Sequence, residues 1–155
     1  MVYFSSEYEV KIDAKGRMVL PSKIKANLPT ESGNNIVISR GFEKCLVLRP
    51  QSEFLKILQR LKKLNQFDSK NRNFQRKMLS GSTDMELDNN GRFLIPKTMM
   101  ASAGLKERAI IVGMGDRVEI WNPKEYDDFL ANDPDDFARM AEEIFNDTQE
   151  QETED

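Results

Sequence analysis

Two nine-residue stretches, DAKGRMVLP at residues 13–21 and DNNGRFLIP at residues 88–96, place an aspartate, a glycine and an arginine at the same spacing. A tight turn explains the aspartate and the glycine, because the carboxylate accepts backbone hydrogen bonds and glycine tolerates positive φ. It explains the arginine poorly, since an exposed ion pair contributes at most about 1 kcal/mol. The planar guanidinium can instead bind a phosphate, or the O6 and N7 atoms of guanine, through two hydrogen bonds. A purely structural turn remains the alternative.

The residues around the two turns define a candidate DNA-binding surface. Lysines would contact phosphates, which position a protein on DNA without specifying sequence, and a two-stranded hairpin is narrow enough to enter the major groove. The predicted DNA contacts are Arg17, Arg92, Lys15, Lys11 and Lys23. The residues expected to support the turns are Asp13, Gly16, Asp88 and Gly91. Lys25 adds to the first copy, whereas the second offers Asn89, Asn90 and Lys97.

The composition argues against chemistry. The 155 residues include no histidine, which removes the usual general base near neutral pH, His-based triads and most zinc sites. No acidic cluster has the spacing of a calcium-binding hand, and no Gly-rich loop ends in Gly-Lys-Ser/Thr. We therefore expect no enzyme activity, no metal, no cofactor and no small-molecule substrate.

The remaining composition predicts a cytoplasmic protein. The single cysteine, Cys45, cannot form an internal disulfide, which fits a reducing compartment. No apolar run is long enough to cross a bilayer, and the N-terminal residues do not resemble a signal peptide. We expect no association with membranes.

Charge is distributed unevenly along the chain. The net charge is −3, but residues 1–80 carry 16 Lys and Arg against 7 Asp and Glu, whereas residues 125–155 carry 1 against 13. A basic half indicates a nucleic-acid partner. The acidic tail is either a solvating segment or a competitor for the basic surface. The basic stretch 56–79 is either a solvated linker, a second phosphate-contacting surface or one side of a subunit interface.

The flanks of the two turns align as a repeat of hairpin, short helix, hairpin and helix. Tyr8, Val10 and Ile12 alternate with polar residues, as in a half-buried strand, and Asn90-Gly91 is a strong hairpin signal. One unit offers about four short strands, too few to bury a core, whereas two units can cover each other. The predicted fold is α+β, with two tandem β-hairpin units closing a small pseudo-twofold β-barrel with flanking helices.

The predicted organisation has five segments. They are a first repeat (1–53), a basic linking helix (54–80), a second repeat (81–124), a C-terminal helical segment (125–145) and an acidic disordered tail (146–155).

Two Asp-x-x-Gly-Arg turns, each followed by apolar residues and proline in one chain of this length, resemble the MraZ family of bacterial transcriptional regulators. Each copy is similar to an AbrB-type swapped-hairpin DNA-binding domain, and the likeness covers residues 7 to about 130. It implies two tandem AbrB/MraZ-like units and a ring-shaped homo-oligomer. It also implies a nucleoid-associated regulator that binds short direct repeats of double-stranded DNA in the promoter of its own division and cell-wall gene cluster, usually as a repressor. The DNA-contacting arginines would be Arg17 and Arg92.

Two other functions remain open. An AbrB-like antitoxin would bind DNA and mask a toxin with its acidic tail, although such proteins usually carry one hairpin unit and dimerise. A structural ring protein without DNA binding would show no salt-sensitive affinity for DNA.

Overall fold

The computed structural model describes the backbone of residues 2–132 and 137–154, and the side chains of residues 2–132 and 137–147. Its strands are β1 (Glu7–Lys11), β2 (Arg17–Val19), β3 (Asn35–Arg40), β4 (Leu46–Pro50), β5 (Thr83–Glu86), β6 (Arg92–Leu94), β7 (Arg108–Gly113) and β8 (Val118–Trp121). Its helices are α1 (Ser22–Ala26), α2 (Gln51–Lys62), α3 (Ser69–Leu79), α4 (Lys97–Ala103), α5 (Pro123–Ala131) and α6 (Phe137–Glu154).

The two repeats exchange strands. Six strands form one antiparallel sheet in the order β1-β7-β8-β4-β3-β5, and β2 pairs with β6 in a separate two-stranded ribbon. The pairs β1–β7, β3–β5, β4–β8 and β2–β6 each join one strand from either repeat. Neither repeat can therefore complete its sheet without the other.

The expectation that the two strands beside each turn pair with each other is wrong. The first turn is closed by a bond from Asp13 N to Arg17 O at 2.9 Å, but β1 then pairs with β7 and β2 with β6. A lone hairpin would leave unpaired edges, and exchange with the other repeat removes them. This arrangement agrees with the exchange that the AbrB resemblance implied.

The predicted closed barrel is not confirmed. Among the described residues, β1 and β5 lie at opposite ends of the strand order and do not pair with each other. The structure therefore shows an open six-stranded sheet with the ribbon beside it.

Both repeats contribute to one apolar core. Fully buried residues from β3 and β4, such as Ile38 and Leu48, belong to the same cluster as Ile111 and Ile120 from β7 and β8. Phe93 of the ribbon lies in it too, and is 2% exposed. Because apolar burial is the dominant favourable term in folding, the repeats should fold as one unit.

The basic segment between the repeats is two helices rather than one. It begins with α2 directly after Pro50, which is the N-cap, and is interrupted before α3. Asp68 caps α3 by accepting a hydrogen bond from Lys70 N, and such a cap starts a new helix. Helix α2 packs against β3 and β4, and α3 packs against β3.

The second repeat ends in two helices. As the sequence predicts, α5 begins with Asn122 as N-cap and Pro123 in the first turn. Helix α6 runs on to Glu154, where composition predicted disorder from residue 146. Glu and Gln are good helix formers, which accounts for the difference, and Asp155 lies outside the described residues. No helix within the described ranges is both long and apolar enough to cross a membrane.

Candidate nucleic-acid interface

Asp13 organises the first turn through both carboxylate oxygens. Its Oδ1 accepts hydrogen bonds from the backbone N–H groups of Lys15 and Arg17, each at 2.9 Å. Its Oδ2 accepts one from Arg17 Nε at 2.7 Å. Gly16 completes the turn with φ +86°. The carboxylate therefore fixes both the backbone and the guanidinium of the same arginine.

The second turn repeats this geometry atom for atom. Asp88 Oδ1 accepts from Asn90 N at 2.8 Å and from Arg92 N at 2.9 Å, and its Oδ2 accepts from Arg92 Nε at 2.8 Å. Gly91 has φ +73°. The two Asp-x-x-Gly-Arg turns thus share one local geometry, and the poorer surroundings of the second copy do not alter it.

Both aspartates are held in the ionised form. The pKa of Asp13 lies below its ordinary value of 3.8, chiefly because the backbone N–H of Arg17 donates to the carboxylate, and the Arg17 side chain adds to the effect. The pKa of Asp88 is lowered in the same way by Arg92. Hydrogen bonds to the charged form of a carboxyl favour that form, so each Asp–Arg ion pair persists at neutral pH.

We expect DNA affinity to be flat between about pH 6 and about pH 8 at constant salt. The chain has no histidine, which is the side chain that ordinarily titrates in this window. Because the folded-state pKa of each aspartate is lowered, each Asp–Arg ion pair stabilises the folded protein at neutral pH. This stabilisation is lost only as the pH falls through the lowered pKa, below 3.8. Fluorescence anisotropy with a labelled duplex would measure this, and a transition near pH 6.5 would contradict it.

Strand exchange places the two arginines on one surface. In the ribbon, Arg17 lies opposite Leu94 and Arg92 lies opposite Val19. Met18 and Phe93, between them, point into the core and are 1% and 2% exposed. Same-face diagonal residues of an antiparallel pair lie about 7–8 Å apart. The outward face of the ribbon therefore consists of Arg17, Val19, Arg92 and Leu94.

Each arginine keeps its outer nitrogens available. The side chains are 35% and 34% exposed, and Nε of each is held by its aspartate. Within the described residues, no partner bonds the Nη atoms of Arg17 or Arg92. A guanidinium that is oriented on one edge and open on the other is suited to bidentate donation to an acceptor pair.

The exchange also redistributes the lysines. A Cβ built on Gly91 would lie 3.6 Å from Nζ of Lys25, so this first-repeat lysine lies beside the second turn. Lys97 and Lys106, from the second repeat, line a cleft with the first turn. Lys15 is exposed in the first turn, Lys11 ends β1 and Lys23 is exposed on α1. Lysines that are close to one turn in the sequence, such as Lys25 and Lys97, therefore lie beside the other turn in the structure.

Sequence reasoning missed the apolar pair on the ribbon. Val19 and Leu94 are 50% and 51% exposed, and each lies directly opposite one of the two arginines. The signal was present, because alternation in RMV and RFL places residues 17 and 19, and 92 and 94, on one face. Only the exchange of strands shows that the two faces join.

We expect Gly16→Ala to destabilise the protein more than Gly33→Ala. Both glycines have positive φ, where an L-residue costs about 1–2 kcal/mol. At Gly33 a new Cβ meets nothing within 4 Å, whereas at Gly16 it lies 3.2 Å from the backbone oxygen of Ile95. Urea denaturation would measure both. Equal costs would show that the approach of Ile95 does not constrain the turn.

Cys45 comes close to two carboxylates. Ligand atoms of Glu43, Cys45 and Glu119 lie within 4.8 Å of one another. Burial, followed by the charges of Glu119 and Glu43, raises the pKa of the Cys45 thiol to about 12. The thiolate is the form that binds metals, so at neutral pH the thiol packs as a small apolar group.

A family model described as "MraZ protein, putative antitoxin-like" matches residues 3–77 and again residues 78–148. The two matches cover nearly the whole chain, and each contains one Asp-x-x-Gly-Arg turn. The chain belongs to the MraZ family. It is 49% identical over 151 residues to the transcriptional regulator MraZ of Cytophaga hutchinsonii, covering 97% of this chain and 100% of that protein.

Two further MraZ relatives can be aligned with this chain over most of their length. The transcriptional regulator MraZ of Christiangramia forsetii is 38% identical over 145 residues, covering 93% of this chain and 94% of that protein. That of Desulforamulus reducens is 34% identical over 141 residues, covering 91% and 96%. These MraZ proteins are named as transcriptional regulators and not as enzymes, as the absence of histidine and of a recognisable catalytic motif predicted.

Proposed function

We propose that this MraZ-family protein is a transcriptional regulator that binds double-stranded DNA through its β2–β6 ribbon. The proposal rests on one observation. Strand exchange brings Arg17 and Arg92, each held by a hydrogen bond to an aspartate, onto one exposed face. The names of its relatives as transcriptional regulators support the proposal.

The ribbon suits the major groove of B-DNA. That groove is about 12 Å wide and admits a two-stranded ribbon. Each guanidinium would donate to O6 and N7 of a guanine, and Val19 and Leu94, each opposite one arginine, would contact neighbouring base edges, where the thymine methyl offers an apolar surface. We therefore expect a short recognition element in which guanine and thymine are neighbours.

Lysines around the ribbon would hold the phosphates. Lys15 lies in the first turn, Lys97 lines a cleft with it, and Lys25 lies beside the second turn. Lys11 and Lys23 are close to the first turn along the chain. Each neutralised phosphate steepens the salt dependence of binding, and such contacts fix the register of the ribbon without reading sequence.

One ribbon makes few base contacts, so a single chain should bind weakly. A homo-oligomeric ring would place several ribbons along spaced short direct repeats and gain affinity through effective concentration. We propose that these repeats lie in the promoter of the protein's own division and cell-wall gene cluster. We further propose that the protein represses that promoter and is cytoplasmic and nucleoid-associated.

Selection of bound sequences from a random duplex pool tests the proposal. We expect enrichment of short repeats at regular spacing, and loss of enrichment with Arg17→Ala. A pool that shows no enrichment with the unaltered protein would overturn the proposal and favour a structural ring protein.

The family description "antitoxin-like" supports a second candidate function, that of an antitoxin. An antitoxin would co-purify with a small toxic partner from its native host. Its acidic C-terminal segment would be needed for that complex and not for DNA binding. Pull-down with and without residues 137–155 would separate the two functions.

A further inference from the structure

An apolar groove lies on the side of the sheet covered by the linker helices. It is about 410 Å³ in volume and lies between α2 and α3. Its floor and walls include Ile57 and Leu64 from α2 and its C-terminal end, and Phe74 and Met78 from α3. Phe42 stands at its rim and is 84% exposed.

Two arginines line this groove, Arg49 and Arg60. Arg49 also lines an adjoining cavity of about 240 Å³ with Arg40 and Arg117, where Glu43 and Glu119 lie as well and Arg117 pairs with Asp116 at 2.9 Å. In the described part of the chain, Arg40, Arg49 and Arg60 form no ion pair with a carboxylate, and Arg49 Nη1 donates only to Ser39 Oγ at 3.3 Å. Burial lowers the pKa of Arg49, and the charge of Arg117 lowers it further. The rim therefore suits an anionic ligand with an apolar face.

Duplex DNA does not fit that description. Phosphates could approach the arginines, but DNA presents no extended apolar surface to cover the groove. A helix laid into a groove matches better, because apolar anchors spaced at i, i+3, i+4 and i+7 fill such a site. The segment that covers it should be helical, amphipathic and acidic.

Helix α6 of this chain has these properties. Apolar residues recur at positions 137, 140, 141, 144 and 145, which is one face of a helix. Phe137 is 85% exposed and Phe145 is 67% exposed, so neither is seated in the groove of its own chain. Over residues 137–154 the helix carries six acidic residues and one arginine, and Arg139 already pairs with Glu143 at 3.6 Å. The segment that holds the groove helices carries the opposite charge, with eight Lys and Arg against two acidic residues over residues 51–79.

We propose that α6 of one copy docks in the α2–α3 groove of a second copy of this chain. Phe137 and Phe145 are the apolar anchors, and Glu142 and Asp147 of α6 face the arginine rim. Groove and helix are different surfaces of one chain, so the contact is head-to-tail and leaves a free groove and a free helix at the two ends of a dimer. Such contacts generate rings when the rotation closes.

This inference rests on the proposed homo-oligomer and is independent of DNA binding. Two surface substitutions test the groove and the helix separately. Phe74→Glu disables the groove and leaves α6 intact, whereas Phe145→Glu disables α6 and leaves the groove intact. Phe67→Glu is the matched control, because Phe67 is 94% exposed on the loop between α2 and α3 and does not line the groove.

Analytical ultracentrifugation of the full chain without DNA tests the contact. We expect the unaltered protein and Phe67→Glu to form the same higher oligomer, and Phe74→Glu and Phe145→Glu each to lose every species above monomer. An equal mixture of the two monomeric variants should form a dimer and nothing larger, since only one groove and one helix remain competent. The dimer would identify the occupant as α6 of another copy.

Other outcomes overturn the proposal. A monomeric unaltered protein, or variants that keep the oligomer, would show that α6 docks within its own chain or elsewhere. A mixture that stays monomeric would show that groove and helix are not partners. Arg17→Ala should keep the oligomer mass, so failure of this test leaves the DNA-binding proposal standing, and failure of DNA binding leaves this one standing.

Discussion

Arg17→Ala is expected to abolish specific duplex binding without changing the fold. Each bidentate arginine–guanine contact discriminates by about 1–3 kcal/mol, and the loss is multiplied when several copies bind one repeated site. The Asp13–Arg17 pair is exposed, and exposed ion pairs add little to stability. Gel shift measures the first effect and thermal denaturation the second.

Two further variants sharpen the test of Arg17. Arg17→Lys keeps the charge but not the bidentate fork, so we expect it to keep salt-dependent non-specific binding and to lose sequence preference. Lys44→Ala is the control, because Lys44 also forms an exposed ion pair, with Glu125 at 3.0 Å, and it belongs neither to the ribbon nor to the α2–α3 groove. Retained repeat recognition by Arg17→Ala would rule out Arg17 as the reading residue.

Arg92→Ala should weaken binding as much as Arg17→Ala. The two arginines occupy equivalent turns and share the outward face of one ribbon. A much smaller effect for Arg92 would mean that the ribbon approaches DNA asymmetrically.

Leu48→Ala is expected to destabilise both repeats together by about 2–5 kcal/mol, the usual cost of truncating a buried leucine. Leu48 is 0% exposed in the shared core, and its strand pairs with β8 of the second repeat. Trp121, the only tryptophan, lies in the second repeat and reports on it by fluorescence. In urea, its transition and the loss of circular dichroism should shift together to lower denaturant.

The control for Leu48 is Leu55→Ala, the same truncation at a residue that is 50% exposed on α2. We expect its cost to stay below about 1 kcal/mol. If Leu48→Ala moved the circular dichroism but not the Trp121 fluorescence, the repeats would be separate folding units despite the exchanged strands.

The local features of the site could be predicted from sequence. Asp13, Gly16 and Arg17 interact within five residues of one another, so turn chemistry sufficed to identify them. The N-cap at Asn122 and the short helices after the prolines depend likewise on nearby residues. The break between α2 and α3 was missed because the basic, apolar-spaced pattern of 54–80 continues through it.

The composition of the interface could not be predicted in this way. Lys25 follows the first turn in sequence but lies beside Gly91 of the second. The sequence assigns Val19 and Leu94 to strands of two separate hairpins. The pairing of β2 with β6 makes them neighbours of both arginines.

The sequence by itself determined that this chain builds one charged turn twice, with an arginine that the turn alone does not require. Such features arise from hydrogen bonds and backbone preferences within a few residues, which the order of amino acids specifies directly. The tertiary structure alone decided which strands pair. Antiparallel pairing within a repeat and between repeats satisfies the same backbone groups, and burial of one common core selects the exchange. That selection joins two turns that lie some seventy-five residues apart in the chain, and it places both arginines on one exposed surface.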